Sequence, residues 1–185
     1  MSAKFILAFA ALSLAASCKK HSDAGTSPTA ANTFTCQIEG KDFTPYLAPV
    51  LIVPVKALAA SRTSHTLGFV VQAKDSYNEL EIYLSSSQGA GTYPLGYARN
   101  PIPYQSNPNS YAAYKSNPAL PPGGDPNSLP PPSRYYTDGV NTGSVTVSRF
   151  DTVAHIITGK FDYVAREAAT GQIVHITNGS FDVPY

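Results

Sequence analysis

The chain has 185 residues, of which 13 are Lys or Arg and 12 are Asp or Glu, giving a formal net charge of +1 at pH 7. That balance supplies no basic field to gather phosphate backbones, so nucleic acid is not an expected partner. Once a leader and tether are set aside, one domain remains, and ~150 residues bury roughly 68–70% of their unfolded surface.

Residues 1–17 have the layout of a secretory signal: a positive charge at Lys4, an uncharged run from Phe5 to Ala16, then small residues. The run, at about a dozen residues, is short of the roughly 20 that a membrane-spanning helix needs. It closes on Leu14-Ala15-Ala16-Ser17-Cys18, which resembles the lipobox of a bacterial lipoprotein, although Ala15 stands where Leu is usual. Cleavage before Cys18 and lipidation of its sulfur and new amino group are expected. Several acyl chains, each gaining ~0.8 kcal/mol per buried CH₂, then anchor the protein stably to a membrane. The outer membrane is the expected location, on its periplasmic face or at the cell surface. Residues 19–32 are poor in large apolar side chains and rich in Ser, Thr, Ala and Gly, so they read as a flexible tether reaching about 20 Å. His21 falls within it.

From Thr33 to Tyr185 the periodicity is that of strands. Strands are predicted over 33–39, 49–58, 66–74, 79–85, 92–97, 134–137, 143–150, 153–165 and 172–183, the last broken by a turn at Asn178-Gly179. Turn signals separate them at Glu39-Gly40-Lys41-Asp42, Asp75-Ser76-Tyr77-Asn78, Asp138-Gly139 and Thr170-Gly171. Pro54 demotes the second segment to an edge strand or bulge. In the first strand Phe34, Cys36 and Ile38 alternate with Thr35, Gln37 and Glu39, which places Cys36 on an apolar face as a small hydrophobe. With Cys18 lipidated, Cys36 has no disulfide partner within the chain. Val153, His155, Ile157, Gly159, Phe161 and Tyr163 form the expected core face of the penultimate strand, which is expected to pair as a hairpin with the last. The fold class is all-β, an antiparallel sandwich or, alternatively, a partly open barrel.

Residues 98–134 hold ten of the 16 prolines, and a long loop outside the sheet is expected there. Loops beyond ~12–15 residues are usually functional or disordered. Tyr93, Tyr97, Tyr104, Tyr111, Tyr114, Tyr135 and Tyr136 surround it, with Asn100, Gln105, Asn107, Asn109 and Asn117 between them. Tyr97, Tyr104, Tyr111, Tyr114, Tyr135 and Tyr136 are the candidate ligand-binding residues, because tyrosines and amides can stack on and hydrogen-bond a neutral glycan or a protein. The competing reading is that these rings fold back to anchor the loop.

Two stretches, Asn32-Thr33-Phe34-Thr35-Cys36-Gln37-Ile38-Glu39-Gly40-Lys41-Asp42-Phe43 and Ile173-Val174-His175-Ile176-Thr177-Asn178-Gly179-Ser180-Phe181-Asp182-Val183, resemble the start and end of an uncharacterised family of Bacteroidetes-type lipoproteins, a domain of unknown function. Gly91-Thr92-Tyr93-Pro94-Leu95 and Thr158-Gly159-Lys160-Phe161-Asp162-Tyr163 extend the similarity. The resemblance implies a β-rich envelope domain and carries no catalytic residues. Glu39 stands where that family usually has Asn.

Other constellations are weak. His21, His65, His155 and His175 lack metal-site spacing; His155 and His175, on the two strands of the final hairpin, are the one pair placed to face each other. Glu79 and Glu81 share a strand face, as solvated carboxylates do, and no second carboxylate is placed across a cleft from them. Asp125 and Asp138 lie in Gly- and Asn-rich turns, where structural calcium competes with ordinary turn chemistry; no other cofactor or metal is expected. Asn178-Gly179-Ser180 and Asp151-Thr152-Val153 match short glycosylation triplets, and no G-x-S-x-G elbow occurs. The expected function is that of a monomeric, lipid-anchored, non-catalytic binding module for a neutral glycan or an envelope protein. The alternatives are a structural or accessory lipoprotein and a hydrolase with an unrecognised site.

Overall fold

The computed structural model describes residues 29–47, 56–62, 68–85, 89–96 and 109–185. Eleven strands follow one another: β1 Thr33–Ile38, β2 Lys41–Phe43, β3 Leu58–Arg62, β4 Phe69–Lys74, β5 Asn78–Leu84, β6 Gly91–Leu95, β7 Tyr111–Ser116, β8 Ser133–Tyr136, β9 Gly143–Asp151, β10 Ile156–Glu167 and β11 Ile173–Pro184. A single 3₁₀ turn at Pro126–Ser128 is the only helical element among the described residues. None of their helices is long and apolar enough to cross a membrane, which says nothing about strands.

All strand pairs are antiparallel and belong to one sheet, in the order β2-β1-β11-β10-β8-β7-β5-β4-β3, with β9 and β6 branching from β10. The fork arises because β10 is long enough to take two neighbours on one edge: Ile156–Tyr163 pair with β9, while Arg166 and Glu167 pair with β8. The sheet curls into a half-barrel. The all-β antiparallel expectation holds, and of its two forms the open barrel describes the curl.

The curl encloses a core made by one face of each strand. Phe34, Leu80, Ile82, Ile157, Phe161, Ile176 and Phe181 are all buried there. Two glycines make room for the rings. A Cβ on Gly159 would lie 2.6 Å from Phe181 Cζ, and one on Gly179 would lie 2.4 Å from Phe161 Cε2. Phe161 in turn packs on Phe34, ring centres 5.1 Å apart, tying β10 to β1.

Several sequence expectations need correction. Asn178-Gly179 is a bulge rather than a turn: β11 runs unbroken, and its register with β10 shifts between Phe161 and Tyr163. Asn178 takes a φ of 54°, which Asn tolerates better than most residues, and its N–H is accepted by Asp162 Oδ1 at 2.7 Å. The core face of β10 is Ile157, Gly159, Phe161, Tyr163 and Ala165; Val153 and His155 instead lie in the exposed β9–β10 turn, and Ile156 is buried as well. That turn is fixed by Asp151 Oδ1, which accepts the N–H groups of Val153 and Ala154.

The larger correction concerns residues 98–134. The segment is not loop throughout, because β7 lies within it as an inner strand between β5 and β8. No proline stands between Pro108 and Pro118, and that gap is long enough for a six-residue strand. β2 was also not anticipated, being three residues long. Of the predicted 49–58 strand, 49–55 lies outside the described residues. Pro94 sits in β6, which among the described residues pairs only with β9, the edge position where proline is tolerated.

Candidate functional site

The tyrosines divide between the two faces of the sheet, because Tyr111 and Tyr114 stand at odd spacing on β7. Tyr114 and Tyr135 point inward. Their rings lie 5.5 Å apart, and their hydroxyls donate to Asn78 Oδ1 at 2.7 Å and Gln172 Oε1 at 3.1 Å. Burial raises the Tyr114 pKa. Tyr111 faces outward, stacked on Tyr83 at 5.1 Å, with its hydroxyl donating to Glu81 Oε1 at 2.7 Å. Tyr136 shares that outer face, half-buried in a small groove of about 50 Å³ with Glu79, Glu81, Lys115 and Arg134. Tyr97 and Tyr104 lie outside the described residues, as do Cys18, His21 and His65. The structure therefore gathers four of the six candidates on β7 and β8 and gives three of their hydroxyls side-chain partners, two on β5 and one in the turn before β11.

The other polar candidates serve turns and strand pairs. Asp138 Oδ1 accepts the N–H groups of Val140 and Asn141, and Asp125 Oδ1 accepts that of Asn127. The backbone N–H of Asn141 is the main cause that holds the Asp138 carboxyl below its ordinary value. Among the described residues no three His, Cys, Asp or Glu side chains come together as metal ligands. His155 and His175 do not face each other: the His155 carbonyl accepts from Tyr185 N–H, whereas His175 pairs with Val164. His175 instead lies 3.1 Å from Glu39 Oε1, across the β1–β2 turn. In that turn Glu39 and Gly40 take φ of 50° and 74°, the two positive values of a tight hairpin turn. The His175 N–H holds the Glu39 carboxyl below its ordinary value. Cys36 is buried beside Phe34, and burial pushes its thiol up to about 12, so little thiolate exists at neutral pH.

The feature that sequence reading missed is the seam of the half-barrel. β2 covers only Cys36–Ile38 of β1, so the Thr33–Thr35 edge has no strand beside it among the described residues, except β11 on its other side. At the far end of the sheet, β3 pairs with β4 alone among the described residues. Both edges border one cleft of about 720 Å³. Phe34, Leu58, Ala60, Val183 and Tyr185 give it an apolar lining, Asn32, Thr33, Thr35 and Thr44 a neutral polar one, and Lys56 its one charged side chain. A second cavity of about 380 Å³, with Glu39, Lys41, Asp42 and Asp75 around it, lies by the β1–β2 turn. An apolar cleft with a few neutral polar groups at the mouth of a barrel is a common form of binding site. No pattern in the sequence marks it, because its walls come from three distant segments.

The architecture defines an all-β half-barrel domain with an open seam. Residues 56–184 match the model of a family described as a domain of unknown function, DUF6252, and the chain belongs to that family. No curated protein and no solved structure matches it.

Proposed function

We propose that this protein is a lipid-anchored envelope domain that binds an uncharged ligand in the seam cleft and performs no chemistry on it. The observation that carries the reading is the cleft itself, with its apolar floor, neutral polar rim and single lysine. The distribution of perturbed groups supports a non-catalytic role. Among the described residues the carboxyls whose pKa values shift, Glu39, Asp138 and Asp151, are lowered mainly by backbone N–H groups, none is raised toward neutrality as a general acid needs, and the buried thiol is held protonated. The Leu14–Cys18 stretch supports the anchor. Asn32 and Thr33, where the expected tether ends, line the cleft.

Two measurements test the reading. Cys18→Ala in the full chain is expected to release the protein from membranes while its melting curve stays unchanged. Retention after a high-salt wash would refute the anchor. Separately, the detergent-solubilised lipoprotein is screened against neutral glycans and uncharged peptides. Thr44→Trp, an exposed change on the cleft rim, is expected to weaken the best ligand about tenfold or more. A ligand held equally well by both proteins binds elsewhere and removes the cleft from the proposal.

A further inference from the structure

The cleft has a property beyond its size: two of its walls are backbone edges. Along β1, alternate N–H and C=O groups of Thr33–Thr35 point toward β11, and the others point away from it into the cleft. β3 offers its non-β4 edge over Leu58–Ala60 to the same space. Among the described residues these outward groups have no backbone partner. The side chains around the edges alternate in the same rhythm. Phe34 is buried while Thr33 and Thr35 are exposed, and Leu58 and Ala60 pack against the core.

A row of donors and acceptors without backbone partners is matched best by a ligand that carries the same groups at the same repeat, and an extended peptide does so. A neutral glycan offers hydroxyls to an apolar floor but no regular repeat for a strand edge. Resting on the reading of the cleft as the binding site, we propose that its ligand is an uncharged extended peptide segment of a protein partner, added as a strand beside β3 and β1. One set of alternate side chains of that peptide faces Phe34, Leu58 and Ala60 and is small and apolar. The other set faces outward and is polar. A length of about five residues, ~17 Å at the strand repeat, spans β3.

The test uses the full detergent-solubilised lipoprotein and an acetylated, amidated peptide, Thr-Val-Thr-Val-Thr-Val-Thr, with two versions N-methylated on one or the other alternate set of residues. Strand addition is expected to show binding that Thr44→Trp weakens about tenfold or more, and loss of binding for both methylated versions, because one alternate set of amides faces β3 and the other faces β1. Hydrogen exchange should slow at the backbone amides of Leu58–Arg62 and of Thr33–Thr35. Equal tolerance of both methylated versions, or binding without protection of either edge, overturns strand addition. Absence of peptide binding, with a neutral glycan bound in a manner sensitive to Thr44→Trp, overturns it while leaving the cleft as the site. If no ligand of either class responds to Thr44→Trp, the cleft reading itself fails. A dimer that Thr44→Trp dissolves would assign the edges to a second copy of the chain and would also overturn the peptide.

Discussion

The spine formed by β9, β10 and β11 and the seam between β1 and β3 both use small side chains, with opposite results. In the spine, Gly159 and Gly179 leave space that Phe181 and Phe161 fill, and the two twelve-residue strands lie closed against each other. At the seam, Ala59 and Ala60 of β3 line a cleft that Phe34 and Tyr185 also border, and the space between them stays open. Small residues therefore close the sheet where a ring fills the space above them and leave it open where the rings stand across a cleft. The proposed ligand site lies where the sheet stays open.

The strongest way to break that contrast is to disconnect its two halves. β3, β4 and β5 join the spine through β7 and β8, and Tyr163 of β10 reaches β7 by donating to the Ala113 carbonyl at 3.2 Å. Buried Thr137 also bonds to the Ala112 backbone, accepting its N–H at 3.0 Å. Replacing residues 109–117 by a Gly/Ser linker is expected to abolish cooperative unfolding altogether, as read by near-ultraviolet circular dichroism and a thermal melt. A folded deletion variant would show β7 to be dispensable. Gly179→Ala comes next, because its Cβ meets a ring that belongs to the core. Urea denaturation is expected to show a loss of about 1–3 kcal/mol, part of which Phe161→Leu in the same chain restores by shortening the opposing side chain.

Cys36→Ser sharpens the boundary between core and seam, since Cys36 lies where β2 begins to cover β1. Its hydroxyl on an apolar face is expected to cost ~1–3 kcal/mol if unpaired, and the native thiol should react with a maleimide only as fast as the protein opens. The acid limb of stability follows from three turns, β1–β2, β8–β9 and β9–β10. Glu39, Asp138 and Asp151 have folded-state pKa values below their ordinary ones, so their contribution is complete at pH above the unfolded values and is lost as pH falls through the folded ones. The melting temperature is expected to hold from pH 7 to about 5 and to fall below that. Asp138→Asn with Asp151→Asn, which keeps turn acceptors without the titration, should flatten the fall. The smallest effect belongs to the seam: Thr44→Trp is expected to change stability by less than about 0.5 kcal/mol in the same urea assay, because Thr44 is exposed on the cleft rim.

Legibility followed the same division. β10 and β11 were readable because Phe161 and Tyr163, and Val174 and Ile176, alternate with polar residues over lengths that only strands fit. β7 was hidden by its surroundings, as the prolines on either side weighed more than the proline-free gap between Pro108 and Pro118. The tyrosines were visible as a cluster, but the odd spacing of Tyr111 and Tyr114 sends them to opposite faces. Asn178-Gly179 carries the same signal for a turn and for a bulge, and the choice depends on whether β10 continues alongside.

The sequence by itself determined an all-β antiparallel domain, the identity of the terminal hairpin, the burial of Cys36 and the turn positions at Glu39-Gly40 and Asp138-Gly139. These are local properties, set by side-chain alternation and by residues that tolerate positive φ. Only the tertiary structure decided that β10 forks between two partners, that the two tyrosine pairs occupy opposite faces, and that the Thr33–Thr35 and Leu58–Ala60 edges border one cleft. Those facts depend on how far each strand extends past its neighbour and on the curl of the whole sheet, and neither quantity is encoded within any one segment.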